Sequence, residues 1–456
     1  SWQDWTSQVN NDINGNDMPD VFHYNLDNYN FSNSYKRWAV GESIKPLPDD
    51  LSRWPNVKRL VDNTDNIDKL KLDGKLYCIP IAKNINGNES AYSPFTYVYR
   101  RDWAKKLNVY QPDDVYTWQQ FSALLEAFKK EYGSSGDIAP LADVEWGFPS
   151  ITNFYKSAPH CFSYDEASGK FVASYTTDQY MQGVEQAKSW VKNGYYGLEQ
   201  YAVKQGEVNT RYQAGRVGVF YENLSLANYT TLRKAMAKRS EIQTVEQLDD
   251  ATAIMKVSGP DGTYALEGTD NWFSASFFSA DISDEKTAKI LDIMDWLLSE
   301  EGTMTATYGF EGYDYEIDAD GNVTLTEDGW EKDKNGDYID KMNGCKYLRY
   351  MCTLCYDINA VDPLTDQKTL SILNDWYSFM NGQLANGNLR VLKEDPSVKW
   401  LTTPQKASNV GGLLDKANTM ITQYTYGKKT LTEYKESFNT STWQKVLAEI
   451  NESLGK

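Results

Sequence analysis

Apolar side chains recur first at helical spacing, then at strand spacing, and this alternation repeats along the chain. Trp2, Trp5, Val9 and Ile13 lie three or four residues apart, which gives a helix one apolar face, and Gly15 follows as a stop. Asp17-Met18-Pro19-Asp20 punctuates the chain before Val21-Phe22, which reads as a strand. Thr117-Trp118-Gln119-Gln120 has capping-box spacing, with Phe121, Leu124, Leu125 and Phe128 on one face behind it. A second stripe, Tyr180, Val184, Ala187 and Val191, ends at Asn193-Gly194. A third helix has Ser283 as its cap, Asp284 and Glu285 at its positive end, and Ile290, Leu291, Met294, Leu297 and Leu298 as its buried face, with Gly302 as the expected stop.

Between these helices lie Tyr97-Val98-Tyr99, Val217-Gly218-Val219-Phe220 and a hairpin that runs from Tyr315-Glu316-Ile317 through Asp320-Gly321 to Val323-Thr324-Leu325. Helices alternating with short strands predict an α/β protein with mainly parallel sheets covered on both faces. The chain shows no solenoid period and no low-complexity linker, so two domains would require it to cross between them more than once. The 456 residues are enough for two large domains or three ordinary ones.

Composition narrows the function classes. Lys plus Arg total 46 against 64 Asp plus Glu, a formal charge of -18, which repels nucleic-acid phosphates and anionic lipid. No apolar run approaches the roughly 18 residues of a membrane span. Aromatic residues reach 14%, with 32 Tyr, and Tyr and Trp suit ligands that carry both apolar faces and hydroxyls. The five cysteines are an odd number. Cys352-Thr-Leu-Cys355 has no second Cys-x-x-Cys to complete a four-thiolate metal site, and His23 and His160 are the only histidines.

Several blocks, in order, resemble the extracellular solute-binding proteins of ABC importers, family 1, in particular its large carbohydrate-binding surface lipoproteins. They are Asn16-Asp17-Met18-Pro19-Asp20-Val21-Phe22; Asp73-Gly74-Lys75-Leu76-Tyr77-Cys78-Ile79-Pro80; and Tyr99-Arg100-Arg101-Asp102-Trp103-Ala104-Lys105-Lys106-Leu107 running on to Thr117-Trp118-Gln119-Gln120-Phe121. Gly215-Arg216-Val217-Gly218-Val219, Asp295-Trp296-Leu297-Leu298-Ser299-Glu300-Glu301-Gly302 and Tyr308-Gly309-Phe310-Glu311-Gly312 complete the set.

The resemblance implies a two-lobe, periplasmic-binding-protein-like (type II) α/β fold with hinge strands and a central ligand cleft that closes on binding. Residues 1–98 with 268–312 are expected in one lobe, and 99–267 with 313–456 in the other. Family members begin with a strand and a helix ahead of the segment matching Trp2 to Val21, so lobe one is expected to lack them. Pro80 is expected to end regular pairing where the first lobe approaches the hinge. The resemblance also implies an oligosaccharide ligand, delivery to the membrane permease subunits of an ABC importer, no nucleic-acid partner and a monomer. It further implies an extracellular, Gram-positive-type cell-surface location with a lipid anchor outside this sequence.

Open α/β sheets hold ligands beyond the carboxyl ends of their strands, so ligand residues are expected after Phe22, Pro80 and Phe220 and around Trp146, Trp272 and Gly309. A flat aromatic under a sugar face, covering about 100 Å² at about 25 cal/mol per Å², contributes on the order of 2.5 kcal/mol. Trp146, Trp272, Tyr221 and Tyr24 are the stacking candidates, each with core filling as the alternative. Glu222, Asn223, Asn84, Asp143 and Glu311 are candidates for hydroxyl pairs, against plain solvated or capping roles.

Charge and aromatics do not separate sugar from peptide, so a peptide-binding importer subunit or a surface adhesin is the alternative binder. Glycoside hydrolysis needs two carboxyls facing across a bond. Glu300 and Glu301 are adjacent at a helix end, and no other pair is singled out, so a non-enzyme is expected. No cofactor is expected, but Glu316, Asp318, Asp320 and Glu327 with Gly321 and Thr324 match calcium-loop spacing except for Glu at the first position, in a setting that reads as a hairpin.

Overall fold

Val21–Asn25 alternates half-buried and buried side chains, the signature of a strand with one face on a core. It pairs antiparallel with Trp272–Phe278, which pairs antiparallel on its other side with Ile79–Ala82. The computed structural model describes residues 2–15, 17–25, 29–82, 92–133, 136–143, 149–157, 161–197, 206–319, 321–333, 338–341, 348, 351–352 and 363–456.

The chain divides into two units. Unit 1 holds Ser1–Ala91, Thr269–Thr365 and Lys399–Thr402; unit 2 holds Tyr92–Gly268, Asp366–Val398 and Thr403–Lys456. This differs from the lobes expected from the sequence: residues 92–98 and Gly268 belong to unit 2, and 313–365 and 399–402 belong to unit 1. The physical reason is packing near the hairpin. Trp330 donates from Nε1 to the Tyr308 carbonyl, and Tyr308 and Tyr315 share a small core with Val323.

In unit 1, the three-stranded sheet is antiparallel throughout, not parallel: its central strand returns from far along the chain, over a connection long enough for either direction, so local spacing does not decide which one forms. Pro80 pairs opposite Ala275 instead of ending the strand; its missing N–H is tolerated because Ile79–Ala82 is at the sheet edge. Phe22 stacks on Phe277 (5.3 Å), and Trp38 packs edge-on against both. The helix Pro55–Asp62 has no cap from its own Trp54 side chain; Asp295 supplies one instead, accepting from the N–H groups of Asn56 (2.7 Å) and Val57 (3.0 Å). Asp284–Leu297 is capped by Ser283 as expected, but Gly302 lies inside a second helix, Glu300–Tyr308, rather than ending the first. A Cβ there would lie 1.9 Å from the Trp296 carbonyl oxygen, so only glycine lets the two helices turn so closely.

In unit 2, four strands run in the order Ala139–Ala142, Val217–Asn223, Phe95–Tyr99, Ala253–Ile254. Only the first pair is parallel; Phe95–Tyr99 is antiparallel to both of its neighbours. Trp118–Tyr132 carries the expected capping box and buries Phe121, Leu124, Leu125 and Phe128. Asp178–Lys192 buries Tyr180, Val184 and Ala187 and starts at a Thr177 cap. The long helix Pro404–Thr425 and the helix Ser441–Ser453 complete this unit. Among the described residues no helix is long and apolar enough to cross a membrane.

Candidate ligand-binding site

The parallel pair in unit 2 ends in two of the expected residues. Asp143 directly follows Ala139–Ala142, and Tyr221, Glu222 and Asn223 close Val217–Asn223. Asp143 is fully buried and accepts hydrogen bonds from Ser150 Oγ and, at 3.3 Å, from the Tyr196 hydroxyl. Tyr221 is buried too; its ring stacks on Phe95 (5.6 Å, 29°) and meets Tyr97 edge-on (5.3 Å). Its hydroxyl accepts from Asn153 Nδ2 at 3.2 Å.

One short helix ties these groups together. Pro149–Phe154 carries Ser150 and Asn153 three residues apart, hence on one face, so Ser150 reaches Asp143 while Asn153 reaches Tyr221. The helix is held in place by Asp178–Lys192, where a Cβ on Gly183 would lie 2.9 Å from the Thr152 Cα. No larger residue fits there without pushing Ser150 and Asn153 away from their partners.

The recess beside this cluster is lined by Phe95, Tyr97, Asn153, Tyr221 and Tyr264, with Met380 from the helix Gln367–Ala385. Two buried polar atoms at its wall, the Tyr97 hydroxyl and Asn153 Oδ1, have no hydrogen-bond partner of good geometry among the described residues. Burial and the nearby Asp143 carboxylate push the Tyr97 and Tyr196 hydroxyls far above the usual phenol range, so both stay protonated as donors. The Tyr221 hydroxyl is raised by burial, then by Glu267, then by Asp143.

Glu222 alternates to the other face of its strand, is half-buried, and accepts from the Asn223 N–H at 2.8 Å; burial raises its carboxyl. Asn223 acts as a turn former, accepting from the Ser225 N–H at 3.0 Å.

The remaining candidates fall elsewhere. Tyr24, 1% exposed, is a core residue of unit 1, edge-on to Trp38 at 4.8 Å, rather than a surface platform. Trp272, 2% exposed, is also core: it stacks on Trp400 (5.3 Å, 13°) and donates to the Asp65 carbonyl. The reason is the same for both, since each is covered by a ring distant in sequence. Glu311 is exposed on the turn that leads into the 315–325 hairpin. Asn84 and Trp146 lie outside the described residues.

In the calcium-loop candidate, Glu316 pairs opposite Thr324 in a β-hairpin, and Asp318 accepts from both the backbone and the side-chain nitrogen of Asn322. Glu327 is exposed, and Asp320 lies outside the described residues. Among the described residues no group of three or more His, Cys, Asp or Glu is placed to hold a metal.

No family model matches the chain. Among curated proteins, the polygalacturonan/rhamnogalacturonan-binding protein YtcQ of Bacillus subtilis is 23% identical over 297 residues, 64% of this chain and 54% of that protein. Lipoprotein LipO of the same organism is 24% identical over 242 residues, 50% of this chain and 45% of that protein. The chain thus spans about half the length of these curated relatives. Among solved structures, the alginate-binding protein AlgQ2 without calcium ion matches with a TM-score of 0.65 at 14% identity, over 99% of this chain and 89% of that one. An HMO-binding, ABC-transporter-associated solute-binding protein from Bifidobacterium longum infantis matches at 0.62 and 15%, over 98% and 88%.

The fold is that of the two-lobe solute-binding proteins. Within its second unit, Tyr97, Ser150, Asn153 and Tyr196 are the residues that sequence reasoning passed over. Their only signal was Ser150 and Asn153 at one-turn spacing just after the Asp143 to Trp146 stretch.

Proposed function

We propose that the protein captures an oligosaccharide, without turning it over, for delivery to the membrane subunits of an ABC importer at the extracellular face. The observation that carries this reading is the buried Asp143 set among three tyrosines, beside the stacked Phe95–Tyr221 pair, at the carboxyl ends of two parallel strands. A carboxylate and an amide accept from vicinal hydroxyls, while tyrosine rings cover C–H faces. The resemblance to YtcQ and to the carbohydrate-binding structures supports the same ligand class, and the neighbours are binding proteins rather than enzymes.

Isothermal titration against a panel of oligosaccharides and peptides, followed by chromatography of the recovered ligand, tests the reading. Saturable binding of a sugar recovered intact is expected. Binding confined to peptides, or cleavage of the bound glycan, would overturn it.

A further inference from the structure

A second hollow in unit 2, a groove of about 600 Å³, shares no described lining residue with the recess and lies in the size range of small-molecule sites. Its polar wall is the outward stripe of the helix Asp178–Lys192, where Gln182, Glu185, Gln186 and Ser189 recur at helical spacing opposite the buried Tyr180, Val184 and Ala187. Leu431 and Lys435, one turn apart on the helix Leu431–Ser437, form the other wall, and Tyr155 and Met181 also line the groove.

On a plainly solvated helix face such side chains rotate freely, but here two of them are fixed by tyrosines. The Tyr155 hydroxyl donates to Gln186 Oε1 at 3.1 Å, and the buried Tyr424 donates to Glu185 Oε1. Burial raises both phenols above their ordinary range, so both remain donors. Gln186 therefore keeps both amide hydrogens to offer and Glu185 its second oxygen, a donor and an acceptor on consecutive residues. Tyr155 is itself held, edge-on to Trp118 at 6.2 Å; with its hydroxyl engaged, what it adds to the groove is an aromatic ring.

Side chains held before a ligand arrives lose less freedom when it binds. A fixed amide and carboxylate beside an aromatic ring match the paired hydroxyls and C–H faces of a sugar. A docking peptide helix needs a stripe of apolar anchors instead, and Met181 and Leu431 are the only aliphatic apolar side chains among the described lining residues. We propose that this groove is a second carbohydrate site, separate from the recess and resting on the oligosaccharide capture read above, in which Glu185 and Gln186 engage neighbouring hydroxyls and Tyr155 lies against a ring face.

The test is methyl NMR of the full chain, labelled at its Met and Leu methyl groups, as xylotetraose, galactotetraose or mannotetraose is titrated in. Leu266 and Met380 report on the recess, Met181 and Leu431 on the groove. With a sugar that moves Leu266 and Met380, the Met181 and Leu431 signals are expected to shift too, at about tenfold higher concentration or more, because the groove is open to solvent and its ligand stays partly hydrated. A Glu185→Ala/Gln186→Ala variant, checked for native circular dichroism, is expected to lose the second set of shifts and keep the first, and Tyr155→Phe to weaken the second several-fold. Met181 and Leu431 signals that stay still well beyond saturation of the recess overturn the inference and leave oligosaccharide capture standing. A second set of shifts that survives in the double variant overturns it as well. Shifts produced by a peptide panel and by none of the three sugars remove the function reading, and this site with it.

Discussion

Trp272 in unit 1 and Tyr221 in unit 2 are both aromatic residues at strand ends, both almost fully buried, and both reasonable sugar platforms from sequence. They differ in what buries them. Trp272 is covered by the parallel face of Trp400, its indole N–H is satisfied by the Asp65 carbonyl, and Lys399 beside that pair is held by Asp270 at 3.1 Å. That arrangement fastens the 399–402 crossing of the chain to unit 1. Tyr221 is buried among a carboxylate, an amide and a tyrosine hydroxyl, and the amide oxygen and that hydroxyl have no partner of good geometry among the described residues. Trp400 Nε1, beside Trp272, also has no partner of good geometry among the described residues, so what sets Tyr221 apart is the clustering of a carboxylate, an amide and hydroxyls around its ring, where unsatisfied atoms carry a cost that a ligand can remove.

The largest effect that would sharpen this contrast is on stability. Trp272→Ala should cost about 3–5 kcal/mol in denaturant unfolding, as expected for removing a large ring from a packed core. Glycan affinity measured on the folded fraction should be unchanged; a selective loss of affinity with stability intact would break the contrast. Asp143→Asn should do the reverse, lowering affinity about 10- to 100-fold by titration, equivalent to roughly 1.4–2.7 kcal/mol. Its unfolding midpoint should move less than that of Trp272→Ala.

Tyr221→Phe keeps the stack and removes the hydroxyl that accepts from Asn153, so about 1 kcal/mol of stability is expected to go, with a several-fold loss of affinity. Glu222 tests the electrostatics. Its carboxyl is raised by burial, so the folded state holds the proton more tightly than the unfolded chain does. Its contribution to stability is therefore greatest at low pH and falls as pH rises from the ordinary glutamate range through the folded value. Glu222→Gln should flatten that part of the stability–pH curve and gain on the parent toward neutral pH; an unaltered slope would show the carboxyl to be solvated. The smallest effect belongs to Glu311→Ala, on an exposed turn of unit 1, where changes within about 0.5 kcal/mol in stability and about twofold in affinity are expected.

Local order was legible in the sequence. The Thr117 and Gln120 capping box, the Thr177 and Ser283 caps, the amphipathic stripes behind them and the 315–325 hairpin all depend on contacts between residues a few positions apart, and side-chain types at short spacing decide such contacts. The resemblance of several ordered blocks added the two-lobe fold. Of the site, Tyr221 was legible as a residue at the end of the Val217 to Phe220 strand, and Asp143 as a polar residue in the stretch around Trp146, without the strand that carries it.

What only the tertiary structure decided lies in long-range pairing. Val21 and Phe278 are neighbours across a sheet, and a strand carries no mark of which partner it will meet or in which direction, so an antiparallel sheet arose where a parallel one was expected. The same holds for Tyr24 and Trp272, identical in local pattern to a binding platform until Trp38 and Trp400 arrive to cover them. It holds again for Ser150 and Asn153, ordinary helix residues until the fold sets them between a buried carboxylate and a tyrosine. A side chain's type fixes what it can bond to, but its burial and its free valences are set by elements that folding brings from elsewhere in the chain.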